Sequence, residues 1–218
     1  MVAVLGIRAI HRLPENWKPW GKVRLDQRPT TFANWQINIL AFAPKTCLSA
    51  LTRANVAYTA LPYRPVIDGC GIDNGVRVSR LAAKFSAPVD ATCALTAALA
   101  WWEEGVDKHA MATLGAHVAR IDHIGTYACR NVVGSPRLAG SRSEHATANA
   151  IDVSGFRLSD GRRISVERDW GKATPEGRFL AFARADACRF FNAVLSPDYN
   201  AAHHDHFHLD LGFWRTCS

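Results

Sequence analysis

The pattern of apolar and polar positions predicts a polar leading segment followed by one domain of short helices and strands. Residues 1–35 are polar and rich in Pro, Trp and Arg, which predicts an extended arm ahead of a single domain over residues 36–218. Apolar residues recur at helical spacing over residues 44–55 and 176–195, and each of these segments predicts a helix.

Another helix is predicted from Asp90, whose carboxylate stands where an N-cap is expected. This helix continues through the pair Trp101 and Trp102 and is apolar almost all round, so we expect it to be buried.

Strands are predicted where apolar and polar residues alternate. The stretches with this pattern are 57–61 and 116–123, and a hairpin of 150–158 with 163–166 around a turn at residues 159–161. Helices and strands do not follow one another in βαβ order, which favours an α+β fold. We expect a small antiparallel sheet packed against helices.

Residues 206–211 alternate strictly between polar and apolar side chains. On a strand the apolar side chains share one face, which must be the core face, and the polar ones share the other. His206 and His208 then lie about 7 Å apart at the backbone, close enough for one to bind a metal while the other works beside it. Asp210 is on the same face, where we expect it to support the strand or to orient a histidine.

A second polar motif pairs His145 with Asp152, seven positions apart. The two could share a face of one helix, but Asn149 and the alternation of Ile151 with Val153 favour a loop that enters a strand. Two imidazoles and one carboxylate form a donor set suited to zinc. Three protein ligands leave a fourth position for water, which is typical of a catalytic zinc site.

Composition and charge narrow the possibilities further. Apolar residues make up 48% and charged residues 21% of the chain, which excludes intrinsic disorder. No run reaches the roughly 18–20 apolar residues of a membrane-spanning helix. Lys and Arg exceed Asp and Glu by 26 − 19 = 7, but they are scattered. We therefore expect a generally basic surface and no nucleic-acid partner.

The six cysteines are widely spaced, and the closest two are 23 positions apart, so there is no CxxC metal motif. Their even number predicts disulfides and an oxidising compartment. Fifteen pairings are possible; we expect Cys47–Cys70, Cys93–Cys129 and Cys188–Cys217. The apolar stretch at residues 1–7 is shorter than a signal-peptide core, and we favour a leader or membrane anchor lost from the N-terminus over a chain that is not exported.

The spacing of Ser143, His145 and Asp152, followed by His206 and His208, resembles the signature of a superfamily of zinc peptidases. Its members include D-Ala-D-Ala dipeptidases and carboxypeptidases, murein endopeptidases and the zinc domain of hedgehog proteins. Over most of its length the chain more closely resembles the bacterial extensin-like C-terminal family. The stretches that carry this closer resemblance are residues 125–130, 143–145, 150–156, 194–200 and 206–212.

The resemblance implies a role for each matching position. It makes His145, Asp152 and His208 the zinc ligands. It makes Asp205, three residues before the last ligand, the general base. It implies that His206 stabilises the oxyanion or orients the substrate, that Arg130 steadies the substrate or the transition state, and that Ser143 contacts substrate. Relatives often have Gly at the position of Ala148 and Glu at the position of Asp205.

Several neighbouring residues carry no such expectation. We expect Glu144 to point to solvent, and His203 and His204 to be loop residues.

Two functions of different classes follow from the sequence. One is a periplasmic or envelope zinc peptidase that cuts peptidoglycan peptides. The other is a non-catalytic zinc-containing module that binds the cell wall or another envelope partner. A retained base at Asp205 favours the enzyme.

Overall fold

The computed structural model describes residues 18–19, 21–135 and 137–218. Most of the expected arm, residues 1–17 and 20, therefore lies outside the described residues. In the remainder of that segment, Val23 and Leu25 are buried in the core, and the first described helix begins at Ala33. The residues leading into the domain thus contribute to its packing.

Helices and strands alternate irregularly along the described chain. The helices are α1 (Ala33–Ala41), α2 (Pro44–Arg53), α3 (Cys93–Leu114), α4 (Val166–Asp169) and α5 (Pro175–Ala187). The strands are β1 (Thr59–Ala60), β2 (Arg64–Ile67), β3 (Cys70–Ile72), β4 (Gly75–Arg80), β5 (Lys84–Thr92), β6 (Val118–Gly125), β7 (Ala150–Leu158), β8 (Arg163–Ser165), β9 (Ala193–Leu195), β10 (Phe207–Asp210) and β11 (Thr216–Cys217). Two short 3₁₀ helices, Glu144–Thr147 and Ala201–His203, precede β7 and β10.

The α+β class is confirmed, but the expected small antiparallel sheet is wrong. Within the described residues the main sheet has nine strands in the order β1-β4-β5-β6-β7-β10-β9-β11, with β8 also paired to β7. It is mixed, because β5 pairs with β6 and β9 with β11 in parallel. The β5–α3–β6 segment is a βαβ connection that the alternation pattern did not reveal. A separate hairpin joins β2 to β3.

Helix α3 is the centre of the core. Trp101 and Trp102 are fully buried on it, as expected from its apolar surface. The indole N–H of Trp102 donates to the carbonyl of Ala183 on α5 at 2.8 Å, and its ring packs against Phe156 of β7. Helices therefore cover the sheet on the side of these tryptophans. In the part of the chain that the structure describes, no helix combines the length and the apolar character needed to cross a bilayer.

The N-cap predicted for α3 is wrong. The helix begins at Cys93, and the hydroxyl of Thr92 caps it by accepting the N–H of Leu95 at 3.2 Å. Asp90 instead lies on β5, directly across from Arg77 on β4, and the two form paired hydrogen bonds of 2.6 Å. A cross-strand ion pair therefore uses the carboxylate that the sequence pattern assigned to the cap.

The helix predicted over residues 176–195 is only partly correct. Helix α5 ends at Ala187, and the chain turns before Ala193–Leu195 forms β9. The backbone of β9 pairs with β10 on one side and β11 on the other. These interactions are remote in sequence, so helical spacing alone could not show where the helix ends.

The other predicted elements are present with shifted limits. The predicted helix 44–55 is α2, the strand 116–123 is β6, and the hairpin of 150–158 with 163–166 is β7–β8. The strand expected over 57–61 is reduced to the two residues of β1.

Three disulfides join all six cysteines, but only one expected pairing is confirmed. Cys188–Cys217 forms as expected, whereas the other two bonds are Cys47–Cys93 and Cys70–Cys129. The first ties α2 to the start of α3, and the second ties the β2–β3 hairpin to the loop after β6. Both join elements whose proximity is set by packing. Three disulfides are consistent with an oxidising extracellular or envelope compartment.

Candidate metal centre

Three buried side chains from separate segments meet at one point of the sheet. Asp152 on β7 lies directly opposite His208 on β10 in the antiparallel ladder. His145 comes from the 3₁₀ helix that precedes β7. One ligand atom from each of the three residues lies within 4.8 Å of the others. The expected ligand set is thus brought together, and it could hold a metal ion.

The donor atoms of this group lie within hydrogen-bond distance of one another. Nε2 of His145 is 3.1 Å from Oδ2 of Asp152 and 3.2 Å from Nδ1 of His208, and Nδ1 of His208 is 2.9 Å from Oδ1 of Asp152. Donor atoms about 2.0–2.2 Å from one metal ion are about 3.3–3.6 Å apart in a tetrahedral site and about 2.8–3.1 Å apart in an octahedral one. The three groups therefore need to separate only slightly to surround an ion.

Hydrogen bonds on the far side of each imidazole fix which nitrogen faces the centre. Nδ1 of His145 is 3.1 Å from the carbonyl oxygen of Thr126, and Nε2 of His208 is 2.9 Å from Oδ2 of Asp210. A carbonyl and a carboxylate can only accept, so these nitrogens carry the hydrogens. The opposite nitrogens, Nε2 of His145 and Nδ1 of His208, are left to bind a cation, which is the usual arrangement behind metal-binding histidines.

The electrostatics of the centre also suit a cation. Burial raises the pKa of the Asp152 carboxyl, but hydrogen bonds and charge from His145 and His208 outweigh it and hold the pKa well below its usual range. Burial lowers the pKa of His208, but its bonds to Asp152 and Asp210 outweigh burial and raise the pKa to about 9. In the metal-free protein, a proton on Nδ1 of His208 occupies the position that a bound metal ion would take.

The turn that carries His145 is fixed at both ends. The hydroxyl of Ser143 accepts the backbone N–H of His145 at 3.3 Å, and Ala148 ends the turn with a left-handed φ of 54°. Glycine adopts this φ without strain, so a glycine would also be accommodated at the position of Ala148. The carbonyl of Ala148 accepts the N–H of Thr92 at 2.9 Å, so the turn is anchored to the start of α3.

Asp205 and His206 form a pair beside the centre. Nε2 of His206 is 3.5 Å from Oδ1 of Asp152, and Nδ1 of His206 is 2.7 Å from Oδ1 of Asp205. The hydrogen bond with His206 is the main cause that lowers the pKa of Asp205. Asp205 lines a separate depression of about 170 Å³ beside β7 and β8. Its carboxylate therefore reaches the three-residue centre through His206.

A cavity of about 410 Å³ opens over His208 and Asp210. Arg130 and Ser143, both expected near substrate, line it. The other residues that matter for its chemistry are Arg142, Glu144, Tyr199, His203, Phe213 and Trp214. The centre therefore adjoins a space large enough for a small peptide or sugar, with cationic, aromatic and hydroxyl groups around it.

His203, which was expected only to be a loop residue, is buried in the wall of this cavity. Its ring centroid lies 5.2 Å from that of His206 and 5.8 Å from that of His208. Oδ1 of Asn200 is 2.7 Å from Nδ1 of His203, while the Asn200 amide nitrogen donates to the carbonyl of Gly134. The fixed amide makes Nδ1 the donor and leaves Nε2 as an acceptor.

Burial, and the nearby charges of His208 and His206, lower the pKa of His203 to about 4. Its neighbour His204 is exposed, as expected of a loop residue.

The expectation that Glu144 points to solvent is wrong, because its side chain turns inward. Its Oε2 accepts the amide N–H of Asn149 at 2.8 Å, and burial raises its pKa. A Cβ at Gly212 would come within 2.7 Å of Oε1 of Glu144, so glycine at that position makes room for the inward side chain. Proximity of residues 144 and 212 is a tertiary feature that no local pattern signals.

Comparison with known protein families shows which family the chain belongs to. The family described as extensin-like protein C-terminus matches residues 45–218, which include every residue of the centre and its cavity, and the chain belongs to that family. No curated protein and no solved structure matches it.

Proposed function

We propose that this member of the extensin-like family is a zinc-dependent peptidase that cuts the peptides of bacterial peptidoglycan. The observation that carries the proposal is the convergence of His145, Asp152 and His208, which bring one ligand atom each within 4.8 Å of the others, beside an open cavity. The same donors, in the same order and spacing, give the chain its resemblance to the zinc peptidase superfamily.

Zinc is the metal that this donor set suits best. Two imidazole nitrogens and one carboxylate oxygen are borderline ligands that occur in catalytic zinc sites. Hard ions such as Ca²⁺ and Mg²⁺ take oxygen ligands in larger number. Zinc held there would lower the pKa of a bound water to about 7 and polarise a substrate carbonyl.

The protein's own groups supply proton transfer and charge stabilisation. We assign the proton acceptor to the Asp205–His206 pair, since His206 reaches the centre and Asp205 holds its other nitrogen. Arg130 lines the cavity and can face negative charge that develops on the substrate. The hydroxyl of Ser143 lines the same wall while it caps the turn of His145.

The substrate class rests on charge and compartment. The net charge of +7 favours an anionic polymer such as cell wall. Three disulfides agree with the periplasm or envelope, where such a polymer lies.

The test is digestion of isolated peptidoglycan sacculi by the zinc-loaded protein, with the products identified by mass spectrometry. We expect new peptide fragments that disappear with a chelator and in Asp205→Asn and His206→Gln variants. Arg130→Ala should retain the zinc and lose about 10²–10³ in rate, the usual loss for an oxyanion donor. Asp160→Asn, an exposed turn carboxylate paired with Arg162, is the matched control and should digest normally.

One observation favours the alternative, a non-catalytic zinc-containing module that binds the wall. The carboxylate of Asp205 lines the depression beside β7 and β8, and it is engaged in a hydrogen bond with His206. A folded, zinc-loaded protein that binds sacculi but releases no fragments would establish the module and overturn the peptidase.

A further inference from the structure

The cavity over the centre has an aromatic wall that the proposed chemistry does not use. Phe213 and Trp214 both line the cavity, and they are 90% and 72% exposed. Their ring centroids are 5.4 Å apart and the rings are nearly perpendicular, at 87°. Two large aromatic side chains are thus exposed to solvent beside a pocket, and core packing does not explain their presence there.

The segment that carries these rings is held at both ends. The side-chain N–H of Asn192 donates to the carbonyl of Gly212 at 2.7 Å, and the carbonyl of Asn192 accepts the N–H of Thr216 at 2.9 Å. The disulfide between Cys188 and Cys217 follows directly. The backbone is therefore anchored on both sides of Phe213 and Trp214, so a ligand that stacks on these rings loses less free energy to ordering of the chain.

Two arginines give the same cavity a cationic side. Arg142 is held by the carbonyl of Asp68 at 2.7 Å and by Oδ1 of Asn131 at 2.9 Å. Arg130 donates only a long hydrogen bond, 3.3 Å, to the carbonyl of Asn131. Within the described residues neither guanidinium is paired with a carboxylate. Both charges are therefore available to an anionic group on a ligand.

From this combination we infer that the cavity has a saccharide subsite on Phe213 and Trp214, so that the preferred ligand is a sugar-linked acidic peptide rather than a bare peptide. The C–H face of a pyranose packs on an aromatic ring while its hydroxyl groups stay in water, which fits rings that are exposed and bordered by polar groups. The carboxylates of the attached peptide complement the two arginines. The inference rests on the proposed function, because it names the part of peptidoglycan that this site holds.

The subsite is tested by binding without turnover. The full chain, treated with chelator, is titrated with a disaccharide-linked stem peptide and with the same peptide lacking the sugar. We expect the sugar to improve the dissociation constant about tenfold, and Trp214→Ala and Phe213→Ala to reduce that advantage. Trp214→Phe should restore part of it. Phe42→Ala, which removes an equally exposed phenyl ring on a residue outside the cavity, should leave it unchanged.

Equal affinity of the native protein for both peptides would overturn the subsite. So would an equal loss of affinity for both in Trp214→Ala, because a general apolar contact would then explain the rings. The test is independent of catalysis: a sugar preference with no digestion of sacculi rejects the peptidase alone, and digestion with no sugar preference rejects the subsite alone.

Discussion

Asp152 and His208 are directly opposed across the β7–β10 ladder, with Oδ1 of Asp152 2.9 Å from Nδ1 of His208. Opposed side chains of an antiparallel pair project to the same face. A slip of one residue would turn one of the two away from the other. The apolar residues that alternate with them, such as Val153 and Phe207, are fully buried and so hold the register that builds the site.

Removal of a ligand should abolish stoichiometric zinc binding. In His208→Ala and Asp152→Ala, two donors remain from a set of three, which is too few for a stable protein site. Metal content after dialysis, measured by mass spectrometry, should fall from one zinc per chain to near zero. His204→Ala, which removes an exposed imidazole four residues from His208, should retain one zinc.

Asp210 should act through the orientation of His208. Asp210→Asn weakens the bond that fixes Nε2 of His208 as the donor, so we expect zinc affinity to fall about 10–100-fold. Competition with a chromophoric chelator measures this loss. Unchanged affinity would mean that Asp210 serves only the backbone, through its bond to the N–H of Gly212.

Zinc affinity should rise with pH. The pKa of His208 is about 9 in the metal-free protein, and zinc must displace that proton. Below about pH 7 we expect affinity to increase about tenfold per pH unit, with about one proton released per zinc, and above it ionisation of the zinc-bound water should add to both. Calorimetry in buffers of different ionisation enthalpy counts that proton. An affinity independent of pH would contradict the arrangement.

The stability of the metal-free protein, unlike its zinc affinity, should fall as the pH rises. The folded pKa of His208 lies above the unfolded value of about 6.5, so the charged imidazole contributes stability below pH 6.5 that is lost as the pH rises through about 9. The Tm of protein freed of metal by a chelator should therefore fall as the pH rises from 6.5 to about 9. His208→Gln should remove most of that slope.

The Cys70–Cys129 bond should matter to the centre as well as to stability. Cys129 lies three residues after Thr126, and the carbonyl of Thr126 orients the imidazole of His145. Replacing both cysteines with Ser should lower the free energy of unfolding by about 4 kcal/mol, from the chain-entropy estimate, and also weaken zinc binding. Removing Cys188–Cys217 in the same way should cost similar stability in chemical denaturation while leaving zinc affinity intact.

The sequence predicted the centre better than the surrounding fold, because its residues lie in short motifs and the resemblance to the zinc peptidase superfamily selects the ligands among them. Alternation over residues 206–211 and the approach to Asp152 show directly which side chains share a face. The β5–α3–β6 connection, the end of α5 and two disulfides depend on partners far along the chain, so no local pattern specified them. His203 was missed for the same reason, because Asn200 and the packing of the 3₁₀ helix place it in the cavity wall.

The zinc K-edge absorption spectrum of the zinc-loaded protein tests the central claim most directly. The account predicts four-coordinate zinc with two imidazole nitrogens and two oxygens, one from Asp152 and one from water, at about 2.0–2.2 Å. The His208→Ala protein should lose this spectrum. A six-coordinate oxygen shell, or a spectrum that is the same with and without His208, would contradict a catalytic zinc centre at His145, Asp152 and His208.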